Sequence, residues 1–146
     1  MAVIKITQHF DAAPEKVFAF LGKHTNLSKV FAPAQVVRTR DAADASQPDG
    51  LGSVRRIGWG PIKPIQEEIT AYEPSQRVEY RIIGRSPIKN HRGEMRFSPA
   101  NGGTRLDYTI ELDSDIPLLA TVVSNGLELV IRNGLKKLAS QPSLMA

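Results

Sequence analysis

Glu67 is the residue whose type and position most directly suggest chemistry. Between Pro64 and Tyr72, the residues Ile65, Glu67, Ile69 and Ala71 alternate with Gln66, Glu68, Thr70 and Tyr72. In a half-buried strand the more apolar set faces the core. A carboxylate carried inward this way must be paired, hydrogen-bonded or proton-bearing, because an unpaired buried charge is costly. The same alternation in neighbouring stretches turns Tyr80, His91 and Tyr108 to that face. Arg55 or Arg56 can supply a cation, and only one of them, since adjacent strand residues point to opposite faces. An inward Arg55 carries Ile57 and Trp59 with it, which is the more apolar choice, and would pair with Glu67. Three uses fit such a group: a satisfied polar pair in a large core, a pole that orients a ligand, or proton transfer. For the last, Glu67 and His91 are the candidate catalytic groups, since an apolar site can raise a carboxyl pKa toward neutrality.

Other chemistries are poorly supported by spacing. His9, His24 and His91 form neither an HxH nor an HExxH pattern, so no metal site is expected. No serine, histidine and acid set suggests itself. The chain has no cysteine, which removes disulfides, thiolate ligands and a cysteine nucleophile. Gly50-x-Gly52 and Gly58-x-Gly60 do not extend to a nucleotide-binding loop. They read instead as bulges or relief of strand crowding. No cofactor is implied. His24 falls in a bend between two short helices, a position suited to a pocket mouth.

The elements that must hold these residues can be read from periodicity. Val3 to Phe10 alternates as a strand. Pro14 suits a first helical turn, with Asp11 or a backbone group as cap, and Val17, Phe18, Phe20 and Leu21 form its apolar stripe up to Gly22. Thr25-Asn26 opens a second short helix through Phe31, which Pro33 stops. Strands are expected at Gln35 to Arg40, Leu51 to Trp59, Pro64 to Tyr72, Arg77 to Ile83, Lys89 to Phe97 and Arg105 to Leu112. Short turns join them into an antiparallel meander, and Asn101-Gly102-Gly103 is the strongest turn signal. From Pro117 the period changes. Leu118, Leu119, Val122, Val123, Leu127, Val130, Ile131, Leu135 and Leu138 recur at three and four, as on one face of a long helix. Gly126 and Gly134 within it suit close backbone approach or room for a ligand. The fold class is therefore α+β: a curved antiparallel sheet of about seven strands gripping a long C-terminal helix, with two short helices after the first strand.

The chain of 146 residues argues for one domain spanning 1–146. The net charge is +4 and the pI about 9.6. The charges fall as mixed signs on the outer strand faces: Arg77, Glu79 and Arg81, then Arg92, Glu94 and Arg96, then Arg105, Asp107 and Glu111. Cross-strand ion pairs use such a face, whereas a nucleic-acid surface favours one sign interleaved with aromatics. No nucleic-acid partner is expected. The longest apolar run, Ile116 to Val123, falls far short of the ~20 residues of a membrane span. Without an N-terminal targeting pattern, the expected location is cytoplasmic.

Several stretches carry a family resemblance. Phe10-Asp11-Ala12-Ala13-Pro14-Glu15-Lys16-Val17-Phe18 resembles the opening of the START-like helix-grip (SRPBCC) superfamily, and more narrowly its polyketide cyclase/dehydrase and lipid-transport group. Gly50 to Arg56, Glu67 to Pro74, Val78 to Arg81, Gly102 to Leu106 and Gly134 to Leu138 extend the likeness over nearly the whole chain. The resemblance implies a hydrophobic cavity between sheet and C-terminal helix. It does not imply a reaction, because the group holds carriers of lipids and hormones, cyclases, dehydratases and modulators of partners. The resulting expectation is a small hydrophobic ligand of lipid, polyketide or aromatic type. Arg55, Glu67, Tyr80 and Tyr108 would orient it, and Phe20, Phe31, Trp59, Met95, Val123, Leu127 and Val130 would wall it in. A filled core with no cavity above roughly 300 Å³ would count heavily against this. The alternatives are a cyclase- or dehydratase-type enzyme and a modulator that docks on a partner through an exposed apolar patch. Monomer and homodimer both remain open.

Overall fold

The N-terminal alternation becomes strand β1 (Ala2–Phe10), whose Ile4, Ile6 and Phe10 point into the core. The computed structural model describes residues 1–145; Ala146, the end of the expected domain, lies outside the described residues. Helix α1 (Pro14–Leu21) buries Val17, Phe18, Phe20 and Leu21. Its N-cap is Ala13, with no side-chain cap. Asp11 does not cap it; its carboxylate lies 3.0 Å from His9 Nε2 instead. The second short helix is a 3-10 turn, His24–Lys29, rather than a helix reaching Phe31.

Six more strands complete the sheet: β2 (Gln35–Arg40), β3 (Val54–Trp59), β4 (Ile62–Glu73), β5 (Arg77–Ile83), β6 (Ile88–Ala100) and β7 (Gly103–Ser114). Together the seven are antiparallel, in the order β1-β7-β6-β5-β4-β3-β2. Strand β3 starts later than its alternation suggests, because Gly52 turns at φ +83°. Between Ile69 and Ala71 the β4–β5 register shifts, so Ala71 opposes the outward Glu79 and Tyr72 opposes the inward Val78. A bulge of this kind reverses the facing of the residues beyond it. Tyr72 thus turns inward, edge-on to Phe18 at 5.3 Å between ring centroids, and Ala71 outward, the reverse of plain alternation.

The outer sheet face is charged, but its directly opposed pairs are alike: Arg77 faces Arg96 and Glu79 faces Glu94. Like charges placed opposite are unfavourable. The arginines therefore reach past their direct partners, Arg77 and Arg92 diagonally across to the neighbouring strand and Arg96 along its own. Arg77 Nε lies 2.6 Å from Glu94, Arg92 Nε 2.6 Å from Glu79 and Arg96 Nε 2.9 Å from Glu94.

Helix α2 (Leu119–Ser140) packs across the inner face. Its two halves differ. Ile131, Leu135 and Leu138 in the second half are buried. There Gly134 lies so close to the backbone of Val30 that an added Cβ would sit 2.2 Å from its carbonyl oxygen. Nearer its start, Val123, Leu127 and, at the middle, Val130 are only partly buried, which leaves a hollow beneath.

Candidate functional site

The hollow lies at the end of the sheet where β3 finishes, β4 and β6 begin and α2 sets out. It has a volume of about 260 Å³. Strands supply Ile57, Ile65, Ile82, Ile88 and Leu112, the turn after the 3-10 segment supplies Phe31, Pro33 and Ala34, and α2 supplies Val123, Leu127 and Val130. Gly126 also faces it, and a Cβ added there would meet no atom within 4 Å. Trp59 stands at the mouth, 57% exposed.

The wall is apolar except where Glu67, Tyr80 and His91 reach it. Glu67 and Arg55 are direct cross-strand partners between β4 and β3. Arg55 Nε donates to Glu67 Oε1 at 2.9 Å, and both side chains are buried. Arg56 takes the outward position and donates to the Lys63 carbonyl. The guanidinium of Arg55 sits 4.3 Å from the centre of the Tyr80 ring, a cation–π contact. Tyr80 in turn lies across Gly93, where an added Cβ would be 2.1 Å from the ring, and its hydroxyl meets that of Tyr108.

Burial opposes the charge of Arg55, and the Glu67 carboxylate with Tyr80 and Tyr108 more than offsets it, so the guanidinium pKa is raised. Burial likewise pushes both tyrosines up: the neighbouring tyrosine and Glu67 reinforce it at Tyr80, while Arg55 opposes it at Tyr108. Both stay protonated. His24 completes the interior network. Arg55 Nη1 lies 3.4 Å from its Nδ1, and its Nε2 lies 2.8 Å from Ser53 Oγ. Burial beside Arg55 and Arg38 pushes His24 down to about 3, so it is neutral. Among the described residues, the buried Arg55 Nη2 has no hydrogen-bond partner.

His91 owes its position to an interruption of the sheet. The β5–β6 ladder runs from Arg77↔Arg96 to Tyr80↔Gly93, and β6 shifts register between Lys89 and Arg92. Beyond that point the backbone N–H of Ile82 donates to His91 Nδ1 at 3.0 Å. Nε2 then faces Glu67 Oε2 at 3.8 Å, too long for a direct hydrogen bond. Burial lowers the His91 pKa against the opposing pull of Glu67.

Phe31, Trp59, Glu67, Tyr80, His91, Val123, Leu127 and Val130 thus meet at one cavity. Arg55, Phe20, Met95 and Tyr108 do not line it. Arg55 pairs with Glu67 from within the core, Tyr108 joins its hydroxyl to that of Tyr80, and Met95 is fully buried opposite Tyr108. Phe20 packs in the core, with Lys29 Nζ 5.4 Å from its ring centre. His24 is buried in the network rather than at the mouth. Pro33, Ala34 and Ile88 line the cavity without a sequence signal that marks them, whereas Gly126 carries one.

A curved antiparallel sheet closed by one helix over an apolar cavity defines a helix-grip protein. The chain belongs to the polyketide cyclase / dehydrase and lipid transport family, whose sequence model matches residues 1–141. Solved structures share its fold. The Zhui aromatase/cyclase from Streptomyces sp. R1128 superposes with TM-score 0.73 at 14% identity, over 97% of this chain and 95% of that one. The protein XoxI from Bacillus cereus gives TM-score 0.69 at 14% identity, over 98% and 99%. The Aha1 dimer from Colwellia psychrerythraea gives 0.68 at 14% identity, over 97% and 96%. No curated protein matches the chain. Among the described residues no helix is long and apolar enough to cross a membrane, and no group of three or more His, Asp or Glu is placed to hold a metal ion.

Proposed function

We propose that the protein binds a small, predominantly apolar molecule between the sheet and the first half of α2. The cavity itself carries this reading. Protein interiors are close-packed. The hollow of about 260 Å³, open at its mouth beside Trp59, leaves apolar wall without packing partners. A ligand in the cavity recovers packing that the chain leaves undone. The size limits what fits: an apolar cavity of about 150 Å³ holds benzene, so this one suits a body of one or two rings or a short branched chain. Its volume falls just short of the roughly 300 Å³ asked for from the sequence, so the apolar wall rather than the size supports the reading. Native mass spectrometry of protein purified from cells tests the reading. A retained small-molecule adduct supports it. Adduct-free protein that also takes up no added bicyclic hydrocarbon contradicts it.

A second reading is a cyclase- or dehydratase-type reaction, favoured by Glu67 Oε2 and His91 Nε2 facing the same cavity 3.8 Å apart. They would serve as proton acceptor and donor, and the similarity to an aromatase/cyclase fold is compatible with this. Turnover that survives Glu67→Gln unchanged removes Glu67 from that role. Assembly as monomer or homodimer belongs to the same proposal. The fold accommodates pairing in the Aha1 dimer, and size-exclusion chromatography distinguishes the two states.

A further inference from the structure

The polar pole of the cavity has a definite donor and acceptor pattern. His91 Nδ1 accepts the Ile82 N–H at 3.0 Å, so the ring proton of the neutral imidazole sits on Nε2. Nε2 is therefore a donor. Glu67 Oε1 takes the Arg55 Nε–H, while Oε2 faces His91 Nε2 across 3.8 Å. Oε2 is an acceptor. The two atoms are too far apart to satisfy each other, yet close enough that one oxygen between them can reach both at ordinary hydrogen-bond length.

We infer that the cavity selects ligands bearing a neutral hydroxyl, a phenol or alcohol on a compact apolar body, whose oxygen bridges Glu67 Oε2 and His91 Nε2. The inference rests on the proposed ligand-binding role and specifies its ligand class. A hydroxyl is the small neutral group that donates and accepts through one atom. It gives its proton to Glu67 and receives one from His91. An ether satisfies only His91. A carboxylate satisfies only His91 as well, and it sets a second negative charge against Glu67, whose own cation, Arg55, does not line the cavity. The Tyr80 hydroxyl is already bonded to that of Tyr108.

Isothermal titration calorimetry with four probes of one shape tests this: naphthalene, 2-naphthol, 2-methoxynaphthalene and 2-naphthoate. The expected order places 2-naphthol about tenfold tighter than naphthalene, from its net hydrogen bonding. The methyl ether should bind near naphthalene, and the carboxylate weakest. Equal affinities for naphthalene and 2-naphthol, or an ether as tight as the naphthol, overturn the hydroxyl inference while leaving the cavity a binding site. No binding by any probe overturns the ligand-binding reading, and this inference with it. In the variant His91→Phe, the ratio of 2-naphthol to naphthalene affinity should fall toward one, whatever the change in naphthalene binding itself. A preference retained in full there contradicts the bridging role of His91.

Discussion

Arg55 and Glu67 face each other across β3 and β4 with Arg55 Nε 2.9 Å from Glu67 Oε1, and both side chains are shut away from solvent. Removing one partner of such a pair leaves a buried charge uncompensated. Glu67→Leu or Arg55→Met should each destabilise by about 3–5 kcal/mol. The double variant Arg55→Met/Glu67→Leu should recover most of that loss, because a packed apolar pair replaces both charges. Urea denaturation of the wild type, the two single variants and the double variant measures the coupling. Additive losses in the double variant would show that the pair is not energetically joined.

The depressed histidines predict acid sensitivity well above the carboxylate range. His24 titrates near 6.5 when unfolded and at about 3 in the fold. His91 is also lowered by burial. Their stabilisation is present above pH ~6.5, where both states are unprotonated, and is lost as pH falls, because the unfolded chain takes up protons the fold refuses. Each histidine should cost up to about 1.4 kcal/mol per pH unit through this window. The urea midpoint should fall between pH 7 and pH 5, and His24→Gln should flatten the slope. A midpoint constant over that range contradicts the neutral, buried state of both rings.

Two glycines on one helix should respond to the same substitution with opposite sign. A Cβ at Gly126 enters open space, whereas one at Gly134 meets the Val30 carbonyl oxygen at 2.2 Å. Gly126→Ala should stabilise by up to about 1 kcal/mol through helix propensity. Gly134→Ala should destabilise, since the clash is with backbone. Thermal melting of both proteins gives the answer directly.

On the outer face, Glu94 holds Arg77 and Arg96 by hydrogen bonds and lies 3.1 Å from Arg92. Burial opposes its charge, and the three arginines outweigh burial, which lowers its pKa. The stabilisation it gives is present above pH ~4.5 and lost as pH falls through its lower folded value. Glu94→Gln should cost about 1–3 kcal/mol, because it leaves the arginines facing one another. Chemical denaturation at neutral pH checks this, and a loss within experimental error would show that Glu79 and Glu111 suffice.

Period-two alternation alone turns Glu67, Tyr80 and His91 inward, because strand facing is a local property of the chain. Pairing Glu67 with Arg55 rather than Arg56 depends on register, and the apolar company of Ile57 and Trp59 points the right way. Facing fails at Tyr72, where the irregularity after Ile69 reverses it. No run of side-chain types in this sequence announces that step. Alternation also cannot separate cavity wall from packed core. Phe20 and Met95 are as apolar and inward as Phe31, yet the hollow occupies only the end of the sheet under the first half of α2. The tautomer of His91 is hidden for a related reason, since it depends on where the β5–β6 ladder stops.

The cavity's role is tested most directly by filling it from Gly126 and asking whether binding is abolished without harm to the fold. Calorimetric titration with naphthalene should give saturable one-to-one binding to the wild-type protein and none to Gly126→Phe, with the variant unfolding at an undiminished temperature. Equal binding by both proteins would place the ligand elsewhere, and absence of binding by the wild type would contradict the cavity's proposed role.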